Sequence, residues 1–510
     1  MRRVPRSVLR AGGWALAGSL AGAAAAQSDD APGVGREYSI TPSVSISATA
    51  TDNSRTGGGS GEADLITQAT AGVSVRKTAG RVRGSLDYSL TGSVHARESS
   101  DNEFQNRLNA FGTAELVDNR AFIDANASIS RQLASAFGTR LSDNSLGSRN
   151  QADVVTYRLS PYVRGELGSL ASYEGRLAYS GSKSDAGALS DSNVTSGSLG
   201  LSGTPGGFVG WSLTGARQIY DYKQGREIES DTLRGVLSFA FDPQFTFFLI
   251  GGRESNNFTN LEKESRSTSG FGLTWLPTER TRLSAERERR FFGNSHSVAF
   301  EHRFPRSAVR FSSGRSLQSD AERFATASLG TVFDLFFLQF ASIEPDPVRR
   351  AQLVNSFLQA NGISPTTIVT GGFLTSGVTV DRRQELSFSL QGLRDTLTFT
   401  GFQSDSRRAD TVTAGVDDFA SSSFVKQRGL TVNWARRLTP ISSLNVGLAY
   451  QRAEGDQSSL ETDLQSITAT WSTRLGERSS FSVSLRRSEF DSSSDPYDEN
   501  AVTAALSMRF

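Results

Sequence analysis

AVTAALSMRF, residues 501–510, alternates without a break to the last residue of the chain. Val502, Ala504, Leu506, Met508 and Phe510 hold every even position, so in an extended chain they share one face. Thr503, Ser507 and Arg509 fall on the other. A strand with one apolar face and an aromatic last residue has the form of the signal read by the outer-membrane assembly machinery. It is expected to present that signal and to close a barrel.

The same period appears at the other end of the chain. Residues 38–52 put Ile40, Val44, Ile46, Ala48 and Ala50 on one face, with Ser and Thr between most of them. Odd positions carry the pattern over 65–75 and even ones over 82–94, joined by Thr78-Ala79-Gly80. Clear cases follow at 108–116, 123–129, 157–163, 173–179, 211–219 and 233–241, with a weaker one marked by Leu199 and Leu201. Further ones lie at 245–249, 271–275, 298–304, 386–390, 430–434, 444–450 and 481–485. A β-solenoid or propeller would repeat a motif, whereas here only a pattern repeats. The expected fold is all-β: a transmembrane antiparallel β-barrel of about 22 strands, with both ends in the periplasm. Closure follows from the solvent, because an open edge in hydrocarbon would leave backbone N–H and C=O groups unsatisfied.

Residues 1–10 contain Arg2, Arg3, Arg6 and Arg10 and no acid, and they lead into an apolar stretch over 11–26 that ends in small residues. That is the pattern of a signal peptide. Ala24 and Ala26 satisfy the small-x-small rule, so cleavage is expected before Gln27, leaving 27–510 as the barrel. A membrane-anchoring helix needs about 20 strongly apolar residues, and Gly and Ser dilute this stretch. The chain contains no cysteine, so an exported protein of this length is held without disulfides and has no lipid attachment point. Removing four Arg from 54 basic residues leaves 50 against 53 acidic ones. This balance argues against a nucleic-acid partner.

Short turns recur between strands: Asp118-Asn119, Thr204-Pro205-Gly206, Asp242-Pro243, Pro277-Thr278, Pro305-Arg306, Arg394-Asp395, Thr439-Pro440 and Gly476-Glu477. Longer polar segments, such as 253–266 and 451–463, lie between them and are expected to be loops. Short turns on one side and long loops on the other are the outer-membrane arrangement. Phe208, Trp211, Phe241, Phe245, Trp275, Phe304, Trp434 and Trp471 sit near the turns, where they would form an interfacial girdle. Residues 317–376 break the alternation with an apolar run at 332–340, Pro345-Asp346-Pro347 and a helical stretch at 348–360. Leu353, Val354, Phe357 and Leu358 share one face of that stretch, and Asn361-Gly362 stops it. By strand parity this partly helical insert is extracellular and is expected to cap the barrel or fold into its mouth, as a lid or constriction, its apolar face covered by the run at 332–340.

Catalytic chemistry finds little support. His95, His296 and His302 have no metal spacing, and with no cysteine a zinc site of the usual kind is disfavoured. They are expected to face the lumen or lie in loops. No G-x-S-x-G elbow stands out for a hydrolase. The basic residues are almost all Arg, and Arg81, Arg83 and Arg234 lie on polar strand positions. There they would pair with acids in a solvated wall or contact an anionic polymer.

Several segments together resemble a known family: ITPSVSISATATDN (40–53), ADLIT (63–67), LDY (86–88), LNAFGTAELVDNRAFIDANASISRQ (108–132) and DPVRRAQLVNSFLQANG (346–362). They are similar to the outer-membrane proteins associated with PEP-CTERM/exosortase systems, which accompany exopolysaccharide gene clusters. The resemblance implies a role in the envelope or in polysaccharide export, with export components as partners, and carries over no catalytic residue or cofactor. The expected activity is that of a non-enzymatic barrel that conducts or helps export a polymer or solute, bathed in outer-membrane lipid and lipopolysaccharide. The alternatives are an outer-membrane hydrolase, which a serine-reactive probe would label, and a structural or adhesion barrel, which would show neither labelling nor conductance. A TonB-dependent transporter would need a plug before the barrel, and the strands begin only about a dozen residues after the cleavage site.

Overall fold

The computed structural model describes residues 38–54, 61–97, 102–142, 150–185, 191–203, 207–223, 225–325, 372–412 and 417–510. The first eleven strands are β1 (Tyr38–Thr51), β2 (Asp64–Lys77), β3 (Val82–His95), β4 (Glu103–Val117), β5 (Ala121–Leu133), β6 (Gln151–Leu167), β7 (Ala171–Ser184), β8 (Ser192–Gly203), β9 (Val209–Tyr222), β10 (Ile228–Ala240) and β11 (Phe245–Asn256). The rest are β12 (Glu264–Thr278), β13 (Thr281–Arg290), β14 (Gly293–Arg303), β15 (Ser307–Gln318), β16 (Thr379–Gln391), β17 (Asp395–Arg408), β18 (Val425–Arg437), β19 (Ser442–Glu454), β20 (Glu461–Arg474), β21 (Ser479–Ser492) and β22 (Tyr497–Arg509). Each pairs antiparallel with the next, and β22 pairs with β1, so the 22-stranded sheet closes on itself.

The polarity of the sheet is inverted relative to a soluble protein. Leu177 and Leu485 on the outer face are 64 % and 56 % exposed, while Thr398 and Glu499 on the inner face are 1 % and 0 % exposed. Apolar side chains turned outward around a closed barrel are solvated by hydrocarbon. The protein is therefore an integral barrel of the bacterial outer membrane. Short turns such as 279–280 and 304–306 lie at one end and the long connections 134–150 and 319–378 at the other, which orients the first end to the periplasm. The aromatic residues picked out near the turns gather at that end, where Phe208 packs on Phe241 at 5.4 Å and Trp471 on Phe481 at 6.4 Å.

The strands run further than the apolar alternation does. Residues 253–266 and 451–463 are not continuous loops: β11 extends to Asn256 and β12 starts at Glu264, while β19 extends to Glu454 and β20 starts at Glu461. Above the bilayer the outer face meets water, so the ladder continues with charged side chains. Alternation does not mark β13 either, because Arg287 and Arg289 take outward positions there. Two histidines are also placed otherwise than expected. His296 and His302 lie on the outer face, because β14 turns its even residues outward beside Arg315 and Val309. His95 faces inward and bonds Asp64 at 3.1 Å.

Several motifs resolve into staples of the wall. Asp52 accepts bonds from the Asn500 backbone and side chain (2.7 and 2.8 Å), and Asn53 donates to the Asp498 carbonyl at 2.9 Å, so the early Asp-Asn pair fastens β1 to β22. Asp64 accepts from the backbone N–H groups of Leu65 and Arg97 (2.8 and 3.0 Å). Asn119 takes a φ of 56° in the turn after β4, a left-handed conformation that Asn tolerates better than most residues. Gly168, with a φ of 60°, occupies the corresponding turn after β6.

Candidate functional site: the lumen and its extracellular mouth

The inner wall is polar and largely self-neutralised. Arg234 reaches Glu286 and Glu288 (2.7 and 3.1 Å), so it belongs to a paired wall. Arg176 likewise contacts Asp124 and Glu174 (3.0 and 3.1 Å), and Arg290 contacts Glu254 at 3.0 Å. Arg83 faces the lumen beside Thr113, while Arg81 lies in the periplasmic turn before β3 and pairs with Asp118 at 2.6 Å. Among the described residues no group of three His, Asp or Glu could hold a metal ion. The wall of β4–β7 also carries aromatic rings: Phe122 stacks on Tyr162 at 5.0 Å and 14°, capped by Arg164 and Arg176 at 4.6 and 3.9 Å. Phe111, also turned inward, is 54 % exposed.

At the extracellular end the loops fold into the barrel and meet one another. Leu374, shortly before β16, accepts no place in its own wall; its N–H donates to the Leu133 carbonyl at the top of β5 at 3.0 Å, and Phe373 bridges Leu133. The short helix α1 (Asp320–Ala325), just after β15, also approaches β5 to β8. The described ends of the connection between β15 and β16 thus reach across the lumen. Asp418, in the β17–β18 connection, accepts from Ser135 Oγ and the Ala136 N–H at 2.5 and 2.6 Å. Tyr497 O–H donates to the Arg140 carbonyl at 2.7 Å, and Arg226 pairs with Asp410 at 3.1 Å.

These crossings enclose apolar clusters of their own. Ala136, Phe373, Val425 and Ala453 pack together, and Leu374 packs on Ala152 and Val154. Tyr220, Tyr222, Phe258 and Val378 form a third cluster, with Phe291 stacked on Phe258 at 5.1 Å. A fully buried apolar side chain contributes about 1.5–3 kcal/mol, so the mouth has an ordered core.

The ionic centre of the mouth is buried. Asp320 is 0 % exposed and accepts from Thr375 N and Oγ1 at 2.8 and 2.7 Å. Burial pushes its carboxyl up to about 6, against the opposing pull of Arg323 and the two Thr375 bonds. Arg323 donates to Asp381, Thr379 and the Phe373 carbonyl (3.1, 2.9 and 3.1 Å). Burial likewise raises the Asp418 carboxyl and lowers the Arg140 guanidinium to about 10.

No protein-family model matches this chain, and no curated protein matches its sequence. Similar solved structures include the siderophore receptor PirA from Acinetobacter baumannii, at 9 % identity and a TM-score of 0.44, over 92 % of this chain and 80 % of that one. The siderophore receptor PiuA from the same organism is similar at 10 % identity and a TM-score of 0.43, over 92 % and 82 %. The FrpB iron transporter from Neisseria meningitidis reaches 10 % identity and a TM-score of 0.37, over 94 % and 82 %. Likenesses this distant do not bear on function.

The C-terminal residues stand where alternation puts them. Val502, Ala504, Leu506 and Met508 face outward opposite Ala50, Ala48, Ile46 and Val44. The Phe510 N–H donates to the Pro42 carbonyl at 3.0 Å. Ala24, Ala26 and Gln27, the helical stretch 348–360 and its Leu353, Val354, Phe357 and Leu358 lie outside the described residues. The flanks of the insert are described, and they supply Asp320, Arg323, Phe373 and Leu374 to the mouth. Sequence reading did not single out 133–142, 372–378 or 417–424 as meeting points, since no period joins loops from separate strand pairs.

Proposed function

We propose that this barrel is a gated, non-enzymatic conduit for a polar polymer or solute, serving envelope or exopolysaccharide export in a system of the PEP-CTERM type. The single observation that supports it most is the inward fold of the extracellular loops, which meet across the lumen around Asp320 and Arg323. A barrel with a merely structural role has no need of an ordered core inside its mouth. The exposed Phe111 on the inner wall favours a sugar polymer, because an open aromatic face packs on the apolar face of a sugar ring. The insert 317–376 is assigned as the lid, with Leu353, Val354, Phe357 and Leu358 as its apolar face.

Replacing residues 326–370 with a short Gly/Ser linker is expected to raise single-channel conductance in a planar bilayer and sensitivity of cells to large antibiotics, with the barrel still folded. Parent-like values in both readouts from a folded variant would overturn the gate. Processing is proposed at Ala26, so mass spectrometry of protein from outer membranes should find Gln27 as the first residue; retention of residues 1–26 refutes this.

A further inference from the structure

The outer wall over β13–β17 carries a concentration of positive charge that its own acids leave unbalanced. Register places Arg287 opposite His296, His296 opposite Arg315, Arg315 opposite Arg382, and Arg382 opposite Asp405. This row crosses five neighbouring strands on the same face as Leu283, Phe300, Phe311, Leu386 and Phe399, so it points at the membrane. Arg289 and Arg407 lie one outward position higher on their strands. The row lines an open cavity of about 500 Å³.

Its height matches the outer-leaflet headgroups. From Leu390 up β16 to Arg382, at about 3.4 Å per residue and a tilt near 40°, the climb is roughly 20 Å, close to the height of the apolar band of such barrels.

Clustered charges elsewhere on the outer rim are neutralised, while Arg253 and Arg487, outward and without a carboxylate partner among the described residues, stand singly and form no row. Arg131 pairs with Glu103 and Asp153, Lys263 with Glu229 and Asp231, and Arg452 with Glu454, Glu461 and Asp463. In the row, the one acid, Asp405, contacts Arg407 at 3.2 Å. Among the described residues, Arg287, Arg289 and Arg382 have no carboxylate within ion-pair distance. Arg315 is held in place by the carbonyls of Asn294 and Phe292 at 2.9 and 3.0 Å, leaving its charge uncompensated. Directly opposed like charges such as Arg315 and Arg382 destabilise a ladder unless something else neutralises them. Arg is the residue suited to bidentate contact with phosphate.

We propose that this face is a binding site for the phosphorylated headgroup of an outer-leaflet glycolipid, with Arg287, Arg315 and Arg382 gripping the phosphates and the apolar band below taking the acyl chains. The site is independent of what the lumen carries.

The test uses the full barrel, refolded in phosphate-free detergent, and native mass spectrometry with bis-phosphorylated lipid A, its dephosphorylated form, and inorganic phosphate as competitor. Retention of the phosphorylated lipid is expected to fall at least tenfold in the triple variant Arg287→Gln, Arg315→Gln, Arg382→Gln, and to fall similarly for the dephosphorylated lipid on the parent. Arg452→Gln, on the paired part of the rim, should leave it unchanged. Should the triple variant not fold, Arg382→Gln alone is read, with at least a threefold loss expected. Equal retention by a folded variant, or displacement of the lipid by inorganic phosphate alone, overturns the proposal.

Discussion

The seam where β22 meets β1 and the mouth where the loops meet are both built from residues far apart in sequence, yet they are held in different ways. At the seam the backbone carries the contact: nine residue pairs from Ser43–Arg509 to Thr51–Ala501 lie in strict register, and side chains only trim it. Thr49 and Thr503 share a hydroxyl bond at 2.9 Å, and Glu499 accepts from Thr51 and from Nε and Nη2 of Arg486. At the mouth one isolated bridge, Leu133–Phe373, is accompanied by side-chain contacts through Asp320, Asp418 and Arg323. A backbone ladder in hydrocarbon has no alternative partner, whereas side-chain contacts at the water-facing end compete with solvent. The seam is therefore expected to be all-or-none, and the mouth adjustable.

The largest effect is expected at the seam. Phe510→Asp places a charge beside the last outward position of β22, next to Met508 on the lipid face. Folded barrel, read as heat-modifiable migration on gels, should drop by most of its amount while periplasmic precursor accumulates. Unchanged folded yield would show that the ladder alone suffices.

A smaller effect follows from the charge buried behind that ladder. Arg486 and Glu499 are 7 % and 0 % exposed in their side chains and 2.8 Å apart. Arg486→Ala strands the Glu499 carboxylate and should cost about 3–5 kcal/mol in urea unfolding of the refolded barrel. Removing both charges with Arg486→Met and Glu499→Leu should recover most of that loss. A double variant as unstable as the single one would show that the pair is needed for more than neutralisation.

The same contrast explains what could be read from the sequence. The seam was legible because β1 and β22 alternate throughout, and Val502, Ala504, Leu506 and Met508 declare their face. Strands β13, β15 and β17 were not legible one by one, because Arg287, Arg315 and Arg407 occupy outward positions that alternation expects to be apolar. Those exceptions mark the basic wall; β20 also went unread, with Asp463 and Gln465 in outward positions. The mouth left little trace: Asp418 and Ser135 look like ordinary loop residues, and only their meeting at 2.5 Å gives them a role. The extracellular position of the connection after β15 followed from counting strands, since an odd number must end outside.

The mildest prediction turns the mouth's adjustability into a pH dependence. Asp320 has its carboxyl raised from 3.8 to about 6, chiefly by burial, and the Asp417 charge nearby adds to the rise. The closed mouth therefore holds the proton more tightly than an opened one. The stabilisation from protonation is fully present below about pH 4 and is lost as pH rises through about 6, so closure tightens on acidification. A shift of about two units corresponds to about 3 kcal/mol at most. The Thr375 N–H, bonded to Asp320 Oδ2 at 2.8 Å, reports the local opening. Its hydrogen-exchange protection, corrected for intrinsic rates, should be greater at pH 5 than at pH 7. Asp320→Asn keeps an acceptor for Thr375 but cannot titrate, so it should flatten most of the slope. The raised Asp418 carboxyl works in the same direction and should leave a remainder. Protection that is independent of pH in the parent would show that Arg323 keeps Asp320 ionised in both states, and that the mouth is as rigid as the seam.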